Sequence, residues 1–135
     1  MESKSFKIWD QNNSVPNVEK KLTVSIRKDR VVFLKDTIKQ MKLHEGMEMA
    51  FLQDADNPKS LFMARIEQNG LKVEYCKPDN CLFIKAPLMC TELFHIVGAQ
   101  RAFRVRISSV PETFPKGPGL PPAGYRIYLN EVKLK

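Results

Sequence analysis

Between Lys20 and Lys42 the chain carries eight basic residues (Lys20, Lys21, Arg27, Lys28, Arg30, Lys35, Lys39 and Lys42) against two acidic ones, Asp29 and Asp36. Lysine and arginine at this density can neutralise phosphates and release their counterions, so the chemistry on offer is polyanion binding. A bidentate donor such as Arg30 could in addition read a base edge. The same run reads equally well as a solvated, solubilising face. A second basic set, Arg104 and Arg106, alternates with Phe103, Val105 and Ile107, which puts both arginines on one side of a strand. It belongs to a different element, so it need not extend the first patch.

The other reactive side chains make no site by spacing. His44 and His95 stand without thiolates at ligand distance in the sequence, and such a pair is a weak metal site. Cys76 and Cys81 flank the turn KPDN, a longer gap than the two-residue zinc knuckle, and no second pair accompanies them. All three cysteines, Cys76, Cys81 and Cys90, are expected as reduced packing residues. The chain contains no G-x-x-x-x-G-K-[ST], G-x-S-x-G, G-x-G-x-x-G or H-E-x-x-H motif, so a non-catalytic protein without metal or cofactor is expected.

These residues sit on 135 positions with 43% hydrophobic and 27% charged residues, enough apolar content to build one globular core. The formal charge is +7 and the pI about 9.4, which brings nucleic acid into view as a partner. No apolar run has membrane-spanning length. The first residues, MESKSFKIWDQNNS, lack a signal-peptide core, so a cytoplasmic protein with no membrane partner is expected.

The elements that would position the basic residues follow from periodicity. KLTVSIR alternates Leu22, Val24 and Ile26 with polar residues, as a half-buried strand does, and RVVF over 30–33 continues as a second strand. Asp36 is placed to cap a short helix, TIKQMKL, with Ile38, Met41 and Leu43 on one face and Gly46 in the turn that ends it. MEMAFLQ and SLFMARI then form a hairpin about DADNPK, followed by LKVEYC, KPDN and CLFIK. Residues 1–20 read as an arm that docks through Phe6, Ile8 and Trp9 or stays disordered.

The later part of the chain resembles the earlier part. Phe83, Ile84 and Lys85 fall 50 positions after Phe33, Leu34 and Lys35, and Gly98, Ala102 and Phe103 fall 52 after Gly46, Ala50 and Phe51. The expected organisation is an arm over 1–20, a first unit over 21–70 and a second over 71–135, the two sharing one compact barrel. The segment PETFPKGPGLPPAG interrupts the second unit. Its proline-rich core, 111–122, is too long for a tight turn and favours an extended conformation able to engage a protein partner, with Phe114, Pro115 and Leu120 as candidate contacts.

With these residues in place, Lys21 to Ile66 resembles the swapped-hairpin DNA-binding domain of the AbrB transition-state regulators. Arg30, Val31, Val32, Phe33, Lys35 and Asp36, then Met41 and Leu43, then Glu45 and Gly46, follow that family's pattern. Leu34 stands where the family has proline, Ile38 where arginine is common, and Lys42 where glycine ends the helix. Two units on one chain further resemble the MraZ proteins. The resemblance implies a mostly β fold with two short helices, a duplicated swapped-hairpin barrel with pseudo-two-fold symmetry. It also implies a transcription regulator that binds double-stranded DNA through Lys28, Arg30, Lys35, Lys39 and Lys42, with Arg104 and Arg106 as an additional basic face and homo-oligomers as a further expectation. The alternative is an assembly or interaction protein of the phage or mobile-element type, which keeps the fold without DNA and uses the proline-rich loop.

Overall fold

The computed structural model describes residues 5, 6, 8, 9, 22–78 and 80–132. Most of the expected arm lies outside these residues; of its apolar side chains, Phe6, Ile8 and Trp9 are exposed. The described chain runs β1 (Thr23–Ile26), β2 (Arg30–Phe33), α1 (Lys35–Met41), β3 (Glu48–Gln53), β4 (Ser60–Arg65), β5 (Leu71–Cys76), β6 (Cys81–Lys85), α2 (Pro87–Val97), β7 (Phe103–Arg106), β8 (Glu112–Thr113), β9 (Ala123–Tyr128) and a 3-10 turn (Leu129–Glu131).

Nine strands form one antiparallel sheet in the order β7-β1-β2-β6-β5-β3-β4-β9-β8. The sheet curls until its far parts approach. Ile107 pairs with Ile127, and the Ser108 amide donates to the Arg126 carbonyl at 2.8 Å, so β7 and β9 come together and the fold is barrel-like. The period-two residues explain the curl: Val24, Ile26, Val31, Phe33, Val73, Ile84, Val105 and Ile127 all point into one core and are nearly or wholly buried. Each such large side chain contributes roughly 1.5–3 kcal/mol by leaving water.

The helices sit at opposite ends of the β2–β6 pair, because each follows one of two antiparallel strands. At α2 the Ala86 amide donates to the Asp29 carbonyl at 2.9 Å, Pro87 occupies the first turn, and Gly98 ends the helix at φ 72°. It has 11 residues, longer than the short second helix expected.

Two sequence expectations are corrected here. Asp36 does not cap α1: the cap position is Leu34, extended and without a side-chain hydrogen bond, and Asp36 falls in the first turn instead. The helix is anchored by the Thr37 hydroxyl, buried and donating to the Thr23 carbonyl at 2.8 Å. Nor does Gly46 end the helix, since Lys42 does so in the left-handed conformation, φ 55° and ψ 44°, while the Leu43 amide returns to the Ile38 carbonyl. Gly46, at φ 92°, lies in the turn into β3 and donates to the Val73 carbonyl. Within the proline-rich segment, Glu112–Thr113 forms β8 against Ala123–Gly124 of β9.

Candidate nucleic-acid interface

β7, β1, β2 and β6 are consecutive in the sheet, and their registers bring together residues far apart in the chain. Arg104 stands opposite Ser25, Ser25 opposite Val32, and Val32 opposite Phe83, while Arg30 stands opposite Lys85. Arg104 and Arg106, expected on a different element as an additional basic face, lie on the strand directly beside the first hairpin. Lys85 joins them through pairing, a relation that no local pattern carries.

The five basic residues of the first unit divide into two groups. Lys28 and Arg30 sit at the β1–β2 turn with Arg27 and Lys85. Lys35, Lys39 and Lys42 are carried by α1 and its end, beyond the other end of β2, a strand that spans about 13 Å at its ordinary rise per residue. Lys28, Lys35, Lys39, Lys42 and Arg104 are exposed, and among the described residues none of them forms an ion pair.

The other two arginines are engaged. Arg30 donates from Nε and Nη2 to the two carboxylate oxygens of Asp29 at 3.1 and 3.0 Å and lies 4.5 Å from the centre of the Phe83 ring. The hydrogen bond from Arg30 holds the Asp29 carboxyl below its ordinary pKa, and Asp29 in turn raises that of the guanidinium. Arg106 donates two hydrogen bonds, 3.1 and 2.8 Å, to Oε2 of Glu131 and stacks 3.8 Å from the Tyr128 ring centre. Pairs this exposed are weak, so a phosphate can compete for either guanidinium.

Charge is distributed unevenly around the barrel. Residues 22–43, β6 and β7 hold nine basic residues and two acidic ones of the chain's 22 and 15, leaving thirteen of each sign for all the rest. The formal charge of +7 is thus carried by the β7-β1-β2-β6 portion with α1.

The proline-rich segment is built on a different part of the sheet. Phe114 meets Phe62 of β4 edge-on, 5.1 Å between ring centres at 86°. Arg126 covers the same Phe62 ring at 4.6 Å and donates to both carboxylate oxygens of Glu112 at 2.8 and 3.0 Å. Phe114 is therefore turned inward as an anchor of the loop, leaving exposed Pro115 and half-exposed Leu120 as its outward contacts. Sequence reasoning missed the anchor residues Phe62, Glu112, Gly124 and Arg126; the strand expected over SLFMARI contains Phe62, but its pairing with the segment that carries Arg126 was not expected. Between this loop and the α1–β3 turn lies an open cleft of about 800 Å³ lined by residues including His44, Glu48, Arg65, Glu67, Leu120 and Pro121.

His44 is exposed beside the Glu45 carbonyl, and His95 is exposed on α2. Among the described residues no cluster of three or more histidines, cysteines or carboxylates could hold a metal ion, and no helix is long and apolar enough to cross a membrane. Comparison with protein-family models, with curated proteins and with solved structures finds no match to this chain.

Proposed function

We propose that this protein is a non-catalytic regulator that binds duplex DNA across the β7-β1-β2-β6 face and α1. The observation that carries the proposal is the charge distribution: one contiguous stretch of sheet and its helix account for the whole excess of positive charge, with Lys28, Lys35, Lys39, Lys42 and Arg104 exposed and outside any ion pair among the described residues. Such a surface binds phosphates whatever the base sequence, and the number of contacts sets the slope of log affinity against log salt at about 0.9 per phosphate. Fluorescence anisotropy of a labelled mixed-sequence duplex, titrated at about 50 to 300 mM salt, tests it. Sub-micromolar binding near physiological salt, with a slope of several units that falls in a Lys35→Ala/Lys39→Ala variant, is the expected result. Absence of binding at the lowest salt overturns it.

The duplicated swapped-hairpin architecture belongs to the same proposal. Exchanging β1 with β5, β2 with β6, β3 with β7 and β4 with β9 leaves the order of these eight strands around the curled sheet unchanged once β7 and β9 are joined through Ile107 and Ile127. The two hairpins are offset within this correspondence. The core-facing pair Ile26–Val31 matches Tyr75–Leu82, so the second hairpin is one residue pair longer. Neither half covers its apolar face alone, and that supports two units descended from a self-associating ancestor.

A second reading draws on the cleft between the proline-rich loop and the α1–β3 turn. Leu120, half exposed at its rim, and Pro121, buried in its wall, would accept an extended protein segment, as an assembly or interaction protein requires. Its discriminating variant is Leu120→Asp, which abolishes partner capture under this reading and leaves duplex binding unchanged under the first.

A further inference from the structure

We infer that Cys76 and Cys81 form a reactive dithiol that a low-molecular-weight disulfide oxidises to an intrachain disulfide. The inference is independent of nucleic-acid binding and rests on register. Cys76 and Cys81 are direct Cα partners, the last pair of the β5–β6 hairpin. Directly opposed residues of antiparallel strands have Cα atoms about 4.5 or 5.5 Å apart, according to the hydrogen-bonding position, and side chains on the same face of the sheet. Disulfides are accommodated at Cα separations of about 4.4–6.8 Å. Either kind of pair falls within that range, so the register admits the bond.

The hairpin supplies the preorganisation. Its turn contains Pro78, whose ring fixes φ, and Asn80, which adopts the left-handed region at φ 48° and accepts a hydrogen bond from the Tyr75 hydroxyl. The register thereby holds the two residues opposite each other before any reaction, which favours ring closure over a lasting adduct with the oxidant. Their exposure also differs in a useful way. Cys76 is half-buried and the more accessible of the two, whereas Cys81 is 8% exposed and is positioned to act second. Cys90 is wholly buried, and burial pushes its thiol up to about 11, so it stays protonated and out of reach near neutral pH.

The chemistry balances in two exchanges. The Cys76 thiolate attacks one sulfur of the small disulfide, the S–S bond breaks, and the departing thiolate takes up the proton that Cys76 released. Cys81, as thiolate, then attacks the Cys76 sulfur and expels the second small thiolate, which is protonated in turn. Two protein thiols are oxidised to one disulfide, and one small disulfide is reduced to two thiols.

The test uses the full chain incubated with oxidised glutathione, quenched with a maleimide under denaturing conditions and digested with trypsin. Cleavage after Lys72 and Lys85, with the Lys77–Pro78 bond resistant, leaves both cysteines on the single peptide 73–85. The expected product is that peptide lighter by two hydrogens, restored by dithiothreitol, with one maleimide per chain remaining on Cys90; Cys90→Ser gives the same light peptide. Three maleimides per chain, a stable glutathione adduct on Cys76, or a peptide linked between two chains would each overturn the inference. Because the wild-type peptide carries the answer, it does not depend on a Cys81 variant folding.

Discussion

Arg30 is clamped to its sequence neighbour Asp29 by two parallel hydrogen bonds of 3.1 and 3.0 Å while its guanidinium rests over Phe83. The residue best suited by type to read a guanine edge thus already has two of its donors occupied. Duplex binding should accordingly depend on the lysines more than on Arg30. We expect Arg30→Ala to change affinity less than Lys35→Ala/Lys39→Ala, which should lower the salt slope by about two. Asp29→Asn removes a negative charge and releases Arg30, so it should strengthen binding and steepen the slope by about one. Anisotropy titrations at four salt concentrations measure all three, and an Arg30→Ala loss as large as that of the lysine pair would contradict the order.

The contrast between Arg30 and Arg104 shows where the sequence was legible. Alternation placed β1, β5 and β7 because period two is a local property: Val24 and Ile26 belong to the core cluster, while Ser25, though buried, stands outside it and Thr23 is half-buried. The basic residues of α1 could be named for the same reason. Arg104 opposite Ser25 and Lys85 opposite Arg30 could not be foreseen, because strand order is decided by packing between segments far apart in the chain. The pairing of Arg30 with Asp29 was within reach as a neighbouring opposite charge, but its geometry depends on Phe83, more than fifty positions away. Asp36 failed as a cap for a different reason. The helix starts one residue before it, at Lys35, and the capping position falls on Leu34.

At the proline-rich loop, a Cβ built on Gly124 would lie 2.7 Å from the Phe114 ring, closer than side-chain atoms approach. Gly124 is therefore required by the Phe114–Phe62 contact, with no demand from its own backbone conformation. Gly124→Ala should destabilise the protein by about 1–3 kcal/mol, as overpacking does. In a Phe114→Ala background the same substitution should cost less, since the ring has gone and only the 3.3 Å approach to the Met63 carbonyl remains. Urea denaturation of the four proteins closes the double-mutant cycle; equal costs in both backgrounds would place the strain elsewhere.

The Glu112–Arg126 pair makes stability depend on acid. Its hydrogen bond from Arg126 lowers the Glu112 pKa below its ordinary 4.5, so the folded state holds the proton less tightly than the unfolded chain. The contribution is complete above pH 4.5 and is lost as pH falls through the lower folded value. Glu112→Gln should therefore melt below wild type at pH 7, and the difference should close progressively below pH 4.5. A gap that stays constant from pH 7 to pH 3 would show that the carboxylate charge plays no part. Half-exposure of both side chains keeps the effect small and reduces it further in salt.

Lys42 joins stability and binding at one position. Its left-handed conformation, φ 55° and ψ 44°, ends α1 where a side chain bearing Cβ is strained and glycine is not. Removing that strain outweighs the extra freedom glycine gives the unfolded chain, so Lys42→Gly should stabilise the protein by about 0.5–1 kcal/mol. The same substitution deletes one exposed cation beside Lys35 and Lys39, so it should weaken duplex binding and lower the salt slope by about one. Lys42→Asn separates the causes, because asparagine tolerates the left-handed region but carries no charge. It should match the glycine variant in binding and fall between glycine and lysine in melting temperature. A lysine retained in a conformation that glycine would fill at lower cost is expected where the charge is used. If Lys42→Gly melts higher and binds DNA as well as wild type, Lys42 contributes nothing to the interface, and α1 would contact DNA through Lys35 and Lys39 alone.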